Sequence, residues 1–451
     1  MFNLLLVEAL SFLARLLPVG WVDRSSSRWL AAELEGASRE QGIRFAPRSP
    51  RSSTAIGACE DFSVRVELER KRAADRDNQY WLHLCVTIAG PRIPQGLAFA
   101  AERGTGDDVL TGDTVFDDLV EVRGEPSILL ALLDREIRQK VSEFVRLGGR
   151  LEAGRLVCCA PTSFSSGEIV RGLRLGLWLA RELSSPGGGV CERLAHNARV
   201  DSHSGVRLWN LLQLHEQFPE TPEARDASQE DLVDPSPWVR LAAARFLKDE
   251  GLEALEHLAQ DRAVPESAAA EAVALLAARC PAERAGPLLL TALKAHSGEA
   301  RRQAVEELGR IRYYRARGPM IVLLERADPR TGAAAATALA ALGDVTAEKT
   351  LLKAVESDAR ELRLAAVRAL GTVGSAASVE PLLAFLGSRR LDAETRQGIH
   401  DAVGAIQSRL AGAEAGQLSL ADTSPGSGWL SVAALGAGHG QLSLLSERKK
   451  G

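Results

Sequence analysis

An internal repeat between residues 234 and 410 constrains the fold of this chain more than any other feature of its sequence. Six segments fit the template Arg-x-x-Ala-x-x-x-Leu. The last template position is occupied in turn by Leu247, Leu276, Leu308, Leu339, Leu370 and Val403. Successive positions in that series are separated by 29, 32, 31, 31 and 33 residues. A period near 31 residues is typical of a repeated pair of α-helices, so the sequence predicts a helical solenoid.

A second register mark supports this period, because a short apolar motif follows four of the core positions by eleven residues. The motif reads Pro287-Leu288-Leu289, Pro319-Met320-Ile321, Thr350-Leu351-Leu352 and Pro381-Leu382-Leu383. With this motif the repeats resemble HEAT repeats, of the short bacterial kind also found in phycobilisome-lyase-like proteins. The resemblance implies stacked helix pairs that bind proteins, but it implies neither a particular partner nor a reaction.

The first template position contains Arg240, Arg363 and Arg396, for which we expect a structural role. In this interpretation each guanidinium bonds carbonyl oxygens or an Asp of the adjacent turn. The alternative is a ladder of arginines that meets an acidic partner. We also expect Leu247, Leu308, Leu339 and Leu370 to fill the core, since one helix pair cannot bury its apolar side alone.

The N-terminal half has a different periodicity. Residues 62–69 and 80–88 alternate apolar and polar side chains, which predicts two half-buried strands around a polar turn. Residues 97–100, 119–122, 150–153 and 155–159 are shorter strand candidates, and residues 126–146 and 165–183 are predicted helices. The predicted fold class is therefore multidomain, with an N-terminal α+β domain on an antiparallel sheet and a C-terminal all-α HEAT-type solenoid.

The chain divides into six predicted segments. They are an N-terminal amphipathic helix (1–20), the α+β domain (21–183), a linker (184–205), solenoid capping helices (206–233), HEAT-like repeats (234–410) and a Gly- and Ser-rich, mostly disordered tail (411–451). Residues 1–17 lack cationic flanks, so we expect this helix to dock on its own domain; peripheral membrane contact is the alternative. The turn at residues 111–117 resembles a pattern in uncharacterised bacterial α+β domains, which implies no activity.

Charge and cysteine content restrict the partners and the compartment. The net charge is −4, and residues 234–410 contain 24 Lys and Arg against 23 Asp and Glu. This balance argues against nucleic acid as the partner. The six cysteines include no C-x-x-C spacing, which argues against a disulfide framework or a four-cysteine zinc site and favours the cytoplasm.

No motif predicts a catalytic residue, a cofactor or a metal. The sequence contains no Gly-x-Ser-x-Gly, no phosphate-binding Gly-x-x-x-x-Gly-Lys and no His-Glu-x-x-His. Two groups of residues are weak candidates for metal binding, and neither has the spacing of a known site. They are the acidic stretch Asp107, Asp108, Asp113, Asp117 and Asp118, whose spacing matches no EF-hand, and the group Cys191, His196 and His203, which lacks a fourth ligand.

The third repeat has a local excess of positive charge. Residues 301–317 include six arginines and only two glutamates, and two tyrosines lie among the arginines. This combination suits an acidic protein surface, although a solvated inter-helix turn would show it too. The candidate partner-binding residues are Arg301, Arg302, Arg310, Arg312, Tyr313, Tyr314, Arg315 and Arg317.

The sequence favours a non-enzymatic scaffold or adaptor that binds a protein partner through its solenoid. The alternative is an enzyme or enzyme subunit resembling the HEAT-like bilin lyases or DNA glycosylases. No residue of the chain matches a catalytic residue of either class.

Overall fold

The structure is a computed structural model, and it describes residues 35, 39–46, 54–72, 80–102, 108–161, 166–184, 187–387, 391–409, 420–424 and 427–430. The chain forms two compact units, Met1–Phe246 and Leu247–Gly451. The predicted N-terminal helix and most of the predicted tail fall outside the described residues.

The first unit is built on one antiparallel sheet with the strand order β1-β2-β3-β4-β8-β7-β5-β6. Its strands are β1 (Arg44–Phe45), β2 (Thr54–Cys59), β3 (Phe62–Arg72), β4 (Tyr80–Ala89), β5 (Ala98–Ala101), β6 (Val120–Arg123), β7 (Gly149–Glu152) and β8 (Arg155–Pro161). In the central register Val64 lies opposite Ile88 and Val66 lies opposite Val86. These four side chains are buried on one face of the sheet, as the alternating pattern predicted.

Besides helical residues at 35 and 39–41, the first unit contains eight helices with described bounds. They are α1 (Thr114–Asp117), α2 (Pro126–Leu132), α3 (Arg135–Arg146), α4 (Ser166–Ser184), α5 (Val190–Val200), α6 (Ser204–Gln217), α7 (Pro222–Asp231) and α8 (Pro237–Phe246). Helices α3 and α4 cover the apolar face of the sheet, and their buried side chains join those of the strands in one core. The predicted antiparallel α+β fold is confirmed.

Two helical predictions in this unit need correction. The single helix predicted over 126–146 is divided between α2 and α3, because the Asp134 side chain accepts a hydrogen bond from the backbone N–H of Ile137 (3.0 Å) and starts a new helix. The linker predicted over 184–205 contains α5. This helix buries Leu194, Ala195 and Ala198 against α2 and α6, so its apolar face is part of a second core.

The cysteine prediction is also corrected. Cys85 and Cys159 lie opposite each other on β4 and β8 and form a disulfide. The prediction rested on the absence of closely spaced cysteine pairs, whereas these two cysteines are 74 positions apart and meet only through strand pairing. Cys59, Cys158, Cys191 and Cys280 are free.

The second unit consists of helix pairs and a short hairpin. Its helices are α9 (Leu252–Gln260), α10 (Glu266–Arg279), α11 (Ala282–Ala295), α12 (Glu299–Arg310), α13 (Arg317–Arg326), α14 (Pro329–Leu342), α15 (Glu348–Val355), α16 (Arg360–Val373), α17 (Val379–Leu386) and α18 (Ala393–Arg409). Strands β9 (Leu420–Ser424) and β10 (Ser427–Leu430) pair within the segment predicted as a tail. Residues 206–233, predicted as solenoid caps, form α6 and α7 of the first unit, and α8 belongs to that unit as well.

The repeat template falls on the second helix of each pair. Helices α10, α12, α14, α16 and α18 pack against one another in sequence. Leu276, Leu308, Leu339 and Leu370 are fully buried in them. Small residues allow a close approach: a Cβ at Gly309 would lie only 2.7 Å from the Cα of Ala338. The predicted all-α repeat architecture is confirmed, and its second helices form one closely packed layer.

Candidate protein-interaction surfaces

Two of the three template arginines contact the turns that precede their own helices. Arg240 donates from Nη1 to the carbonyl oxygens of Asp234 (2.7 Å) and Pro235 (3.1 Å). Arg363 donates to the carbonyl of Ser357 (2.9 Å) and to Asp392 Oδ2 (3.1 Å). The guanidinium of Arg396 makes no hydrogen bond or ion pair to a residue that the structure describes. We propose that Arg240 and Arg363 stabilise the repeat turns.

The predicted core positions differ in burial. Leu308, Leu339 and Leu370 have no exposed surface, whereas Leu247 is half-buried immediately after α8. We propose that the first three fill the core between successive second helices.

Three of the predicted partner-binding arginines are engaged within the repeats. Arg301 Nε donates to the carbonyl of Leu293 on α11 (3.2 Å). Arg302 pairs with Glu306 (2.9 Å) on its own helix. Arg310 pairs with Glu307 (2.6 Å) and donates to the carbonyl of Ala277 on α10 (2.9 Å). The contacts of Arg301 and Arg310 are with neighbouring helices, which reduces their availability to a partner.

Four of the other five predicted residues lie between α12 and α13, and Arg317 is the first residue of α13. Tyr313 rests on Gly286, where a Cβ would overlap its ring. Tyr314 is 64% exposed, and Arg312 and Arg315 are exposed without a hydrogen-bonding or ionic partner among the described residues. Arg317 Nε lies 3.9 Å from Asp344 Oδ2. The predicted patch therefore separates into engaged helix residues and a free turn.

Two depressions that the sequence analysis did not identify lie on the second helices and share one lining residue, and we call them together the groove. Its larger part has a volume of about 570 Å³ and is lined by α12, α14 and α16. A second part of about 330 Å³ is lined by α16 and α18, and Arg368 borders both parts. The floor consists of small or short side chains, namely Ala333, Ala334, Ala365, Gly371, Gly398 and Ala402.

The groove is bordered by charges of both signs, only some of which are paired. Arg302 bonds Glu306, and Arg368 bonds Glu394 (3.0 Å). The side chains of Arg330 and Glu361, both on the groove, have no ionic partner within the described ranges. Two unpaired opposite charges beside an apolar floor allow the groove to hold a segment in one orientation.

The groove residues occupy fixed positions in the repeat. Residues two positions before each core residue line it, namely Glu306, Thr337, Arg368 and Asp401. Residues six positions before it do so too, namely Arg302, Ala333, Leu364 and Gln397. Aligning the repeats by their core leucines would have found this face, since positions three or four apart share one side of a helix.

A buried ionic cluster in the first unit also escaped sequence analysis. Arg138 on α3 is 2% exposed and pairs with Asp201 through two hydrogen bonds (2.9 and 3.0 Å) and with Asp113 through one (3.1 Å). Burial alone would raise the pKa of Asp201, but hydrogen bonds from Arg138 and from the backbone of His203 outweigh it and lower that pKa. The cluster joins the turn at 111–117 to the start of α6.

The metal candidates have other contacts in this region. Asp113 bonds Arg138, and Asp117 accepts from Thr111 Oγ1 (2.7 Å) and from the backbone N–H of Gly112 (3.0 Å). Cys191 Sγ contacts Thr221 Oγ1 (3.5 Å). Asp107 lies outside the described residues. In the described ranges, no group of three or more His, Cys, Asp or Glu side chains is arranged to hold a metal ion.

A second carboxylate near this cluster is poorly paired. Asp231 on α7 is 3% exposed, and its Oδ2 has no hydrogen-bond partner among the described residues. Burial, together with the nearby charge of Asp234, raises the pKa of Asp231 to about 7. This carboxyl group therefore changes charge near neutral pH.

None of the helices in the described part of the chain has the length and apolar character needed to span a membrane. The segment 1–17, for which peripheral membrane contact was the alternative, is outside the described residues.

Comparison with known proteins agrees with the repeat architecture. Residues 286–361 match the family described as HEAT repeats. Among solved structures the chain is similar to an engineered protein determined by a structural genomics consortium, with 19% identity, a TM-score of 0.26 and coverage of 49% of this chain and 89% of that one. Among curated proteins, none matches. The match to residues 286–361 covers α12 to α15 completely, with parts of α11 and α16, so this part of the chain is built of HEAT repeats.

Proposed function

We propose that this chain is a protein-interaction scaffold whose HEAT repeats bind a segment of a partner protein in the groove across α12, α14, α16 and α18. HEAT repeats in general serve as scaffolds for protein interaction, which is the property expected of stacked helix pairs with an extended surface. The observation that carries this proposal is a pair of depressions that share Arg368 and are together lined by four successive second helices.

The chemistry of the groove supports a polypeptide ligand. Its floor of alanine and glycine allows another backbone to approach closely, and Leu364 adds apolar surface for a partner side chain. The charged border excludes a fully apolar ligand, because Arg330 and Glu361 would lose hydration without compensation. A segment with apolar residues on one side and charges of both signs beside them satisfies both requirements.

The test compares the full chain with its variants as bait in a quantitative pull-down from native lysate. Ala365→Trp fills the groove floor, and Arg330→Glu reverses an unpaired charge on its border. The matched control Arg326→Glu makes the same charge change on α13, away from the groove. We expect proteins captured by wild type and by Arg326→Glu to be lost with both groove variants. Equal capture by all forms would refute binding in the groove.

Repeating the pull-down at high salt separates two contributions to binding. Apolar contacts with the floor persist at high ionic strength, whereas exposed charge pairs are screened within about 3 Å at roughly 1 M salt. We expect the captured protein to remain bound at high salt with lower yield. Complete loss at high salt would place the binding energy in charge pairs rather than in the floor.

A further inference from the structure

Helices α12 and α14 end in the same hydrogen-bonded turn. After α12, the N–H of Tyr313 bonds the carbonyl of Leu308 (3.0 Å) and the N–H of Arg312 bonds that of Gly309 (3.1 Å). After α14, the N–H of Asp344 bonds Leu339 (3.1 Å) and that of Gly343 bonds Ala340 (3.0 Å). Both turns are Schellman motifs at equivalent places in successive repeats.

The residue at the left-handed position differs between the two turns. Gly343 has φ 68° and Arg312 has φ 52°. Glycine is the usual residue there, because a Cβ in the left-handed region crowds the following carbonyl. Since the next repeat closes the same turn with glycine, the backbone geometry does not require an arginine at position 312. Arg312 therefore carries a conformational cost that glycine would avoid, and such costs are often found at functional positions.

Other residues of this turn expose basic and apolar side chains to solvent. The ring of Tyr313 packs on Gly286 and fixes the turn, so that Tyr314 and Arg315 face solvent. In the following repeat Val345 occupies the place of Tyr314, and both side chains are 64% exposed. Arg317 lies 3.9 Å from Asp344 and connects the two turns. We call Arg312, Tyr314, Arg315, Arg317 and Val345 the turn surface.

We propose that the turn surface is a second binding site, separate from the groove, for an acidic segment of a protein partner. Arg312 and Arg315 have no acidic partner within the described part of the chain, and clustered carboxylates would provide charge-assisted hydrogen bonds to them. Tyr314 and Val345 accept an apolar side chain of the same segment. Three arginines on one turn provide few phosphate contacts, so a protein segment fits better than a nucleic-acid duplex.

The test measures fluorescence anisotropy of labelled probes with the full-length chain. The probes are a peptide of glutamates around one phenylalanine, the same peptide with glutamines, and a short DNA duplex. Arg312→Gly removes the charge and places the preferred residue in the turn. We expect binding of the glutamate peptide to weaken roughly tenfold, the effect of losing one charge-assisted contact. The Tm should stay equal or rise by about 2–4 °C.

Matched controls make each outcome decisive. Arg326→Ala removes an exposed arginine from α13 without touching the turn, and Ala365→Trp fills the groove; both should bind the peptide like wild type. Unchanged affinity in Arg312→Gly, or in its combination with Arg315→Ala, would overturn the proposal. So would a lower Tm in Arg312→Gly, equal binding of the glutamine peptide, or a duplex bound as tightly as the peptide. Loss of peptide binding in Ala365→Trp would assign the peptide to the groove and would also overturn it.

Discussion

Two glycines at the same repeat position provide a sharp test of how the second helices pack. Gly309 follows Leu308 in α12, and Gly404 follows Val403 in α18. A Cβ at Gly309 would lie 2.7 Å from the Cα of Ala338, whereas a Cβ at Gly404 meets no described atom within 4 Å. The two substitutions to alanine therefore differ chiefly in packing, although Gly309 lies in the last turn of α12 and Gly404 lies inside α18.

The expected changes in the free energy of unfolding follow from this difference in packing. Replacing glycine with alanine stabilises the interior of a helix by about 1 kcal/mol, and this full gain applies at Gly404. At Gly309, the next-to-last residue of α12, the gain is at most that large. The new methyl group there also meets backbone of α14 that has no free rotamer, and such overpacking costs about 1–3 kcal/mol. With a cost of about 2 kcal/mol, Gly309→Ala loses at least about 1 kcal/mol and Gly404→Ala gains about 1 kcal/mol. Most of the resulting difference of about 2 kcal/mol or more comes from packing.

The assay is differential scanning calorimetry of the full chain, because two units can unfold in separate transitions. We expect the transition of the second unit to differ by roughly 4–8 °C between the two variants. Gly371→Ala is an intermediate case, since its Cβ would lie 3.2 Å from the Cα of Ala402. If Gly309→Ala proves as stable as Gly404→Ala, the close approach of α12 and α14 is wrong.

Two further predictions concern the first unit, and two concern binding by the repeats. Asp201→Asn removes the main partner of buried Arg138 and should destabilise the unit by about 3 kcal/mol, which urea unfolding would measure. In wild type, the lowered pKa of Asp201 contributes to the free energy of unfolding above about pH 4, and this contribution is lost as the pH falls below that value. An unchanged denaturation midpoint would contradict this. The raised pKa of Asp231 has the opposite effect on stability, because the folded carboxyl group holds a proton that the unfolded chain releases near pH 4. The free energy of unfolding should therefore fall by up to about 4 kcal/mol as the pH rises from about 4 to about 7. Asp231→Asn should flatten that slope in pH-dependent Tm measurements, and an unaltered slope would assign it to other groups. In the repeats, Arg330→Glu and Ala365→Trp should abolish partner capture, and Arg312→Gly should weaken binding of an acidic peptide without loss of stability.

The repeat architecture could be predicted because its signal is local and recurs. Each second helix presents a leucine or, in α18, a valine to the core at nearly the same interval, and the period remains visible even where Gly332 replaces the template arginine. The strands at 62–72 and 80–89 could be predicted equally well, since sustained alternation of apolar and polar residues is typical of a strand with one buried face. In both cases neighbouring residues carry the information.

Features that depend on distant contacts could not be predicted in this way. Arg138 and Asp201 are 63 residues apart in sequence, and nothing near either one indicates their bond. Helix α5 follows a glycine-rich stretch and mixes apolar with charged residues, and its burial depends on the adjacent α2 and α6. The groove has a similar origin, because its floor combines residues from helices that individually resemble ordinary alanine-rich segments.

The repeats separate residues that set stability from residues available for binding. Leu308, Leu339 and Leu370 are the same residue in successive repeats, because each faces the same packed layer. Six positions earlier the residues are Arg302, Ala333, Leu364 and Gln397, which differ in size and charge although the helices pack alike. The packing of the layer does not demand this diversity, and we propose that the variable columns, together with Arg312, select the partner. Transplanting one groove column from α14 to α16 should therefore change which protein is captured while leaving the Tm within about 2 °C of wild type.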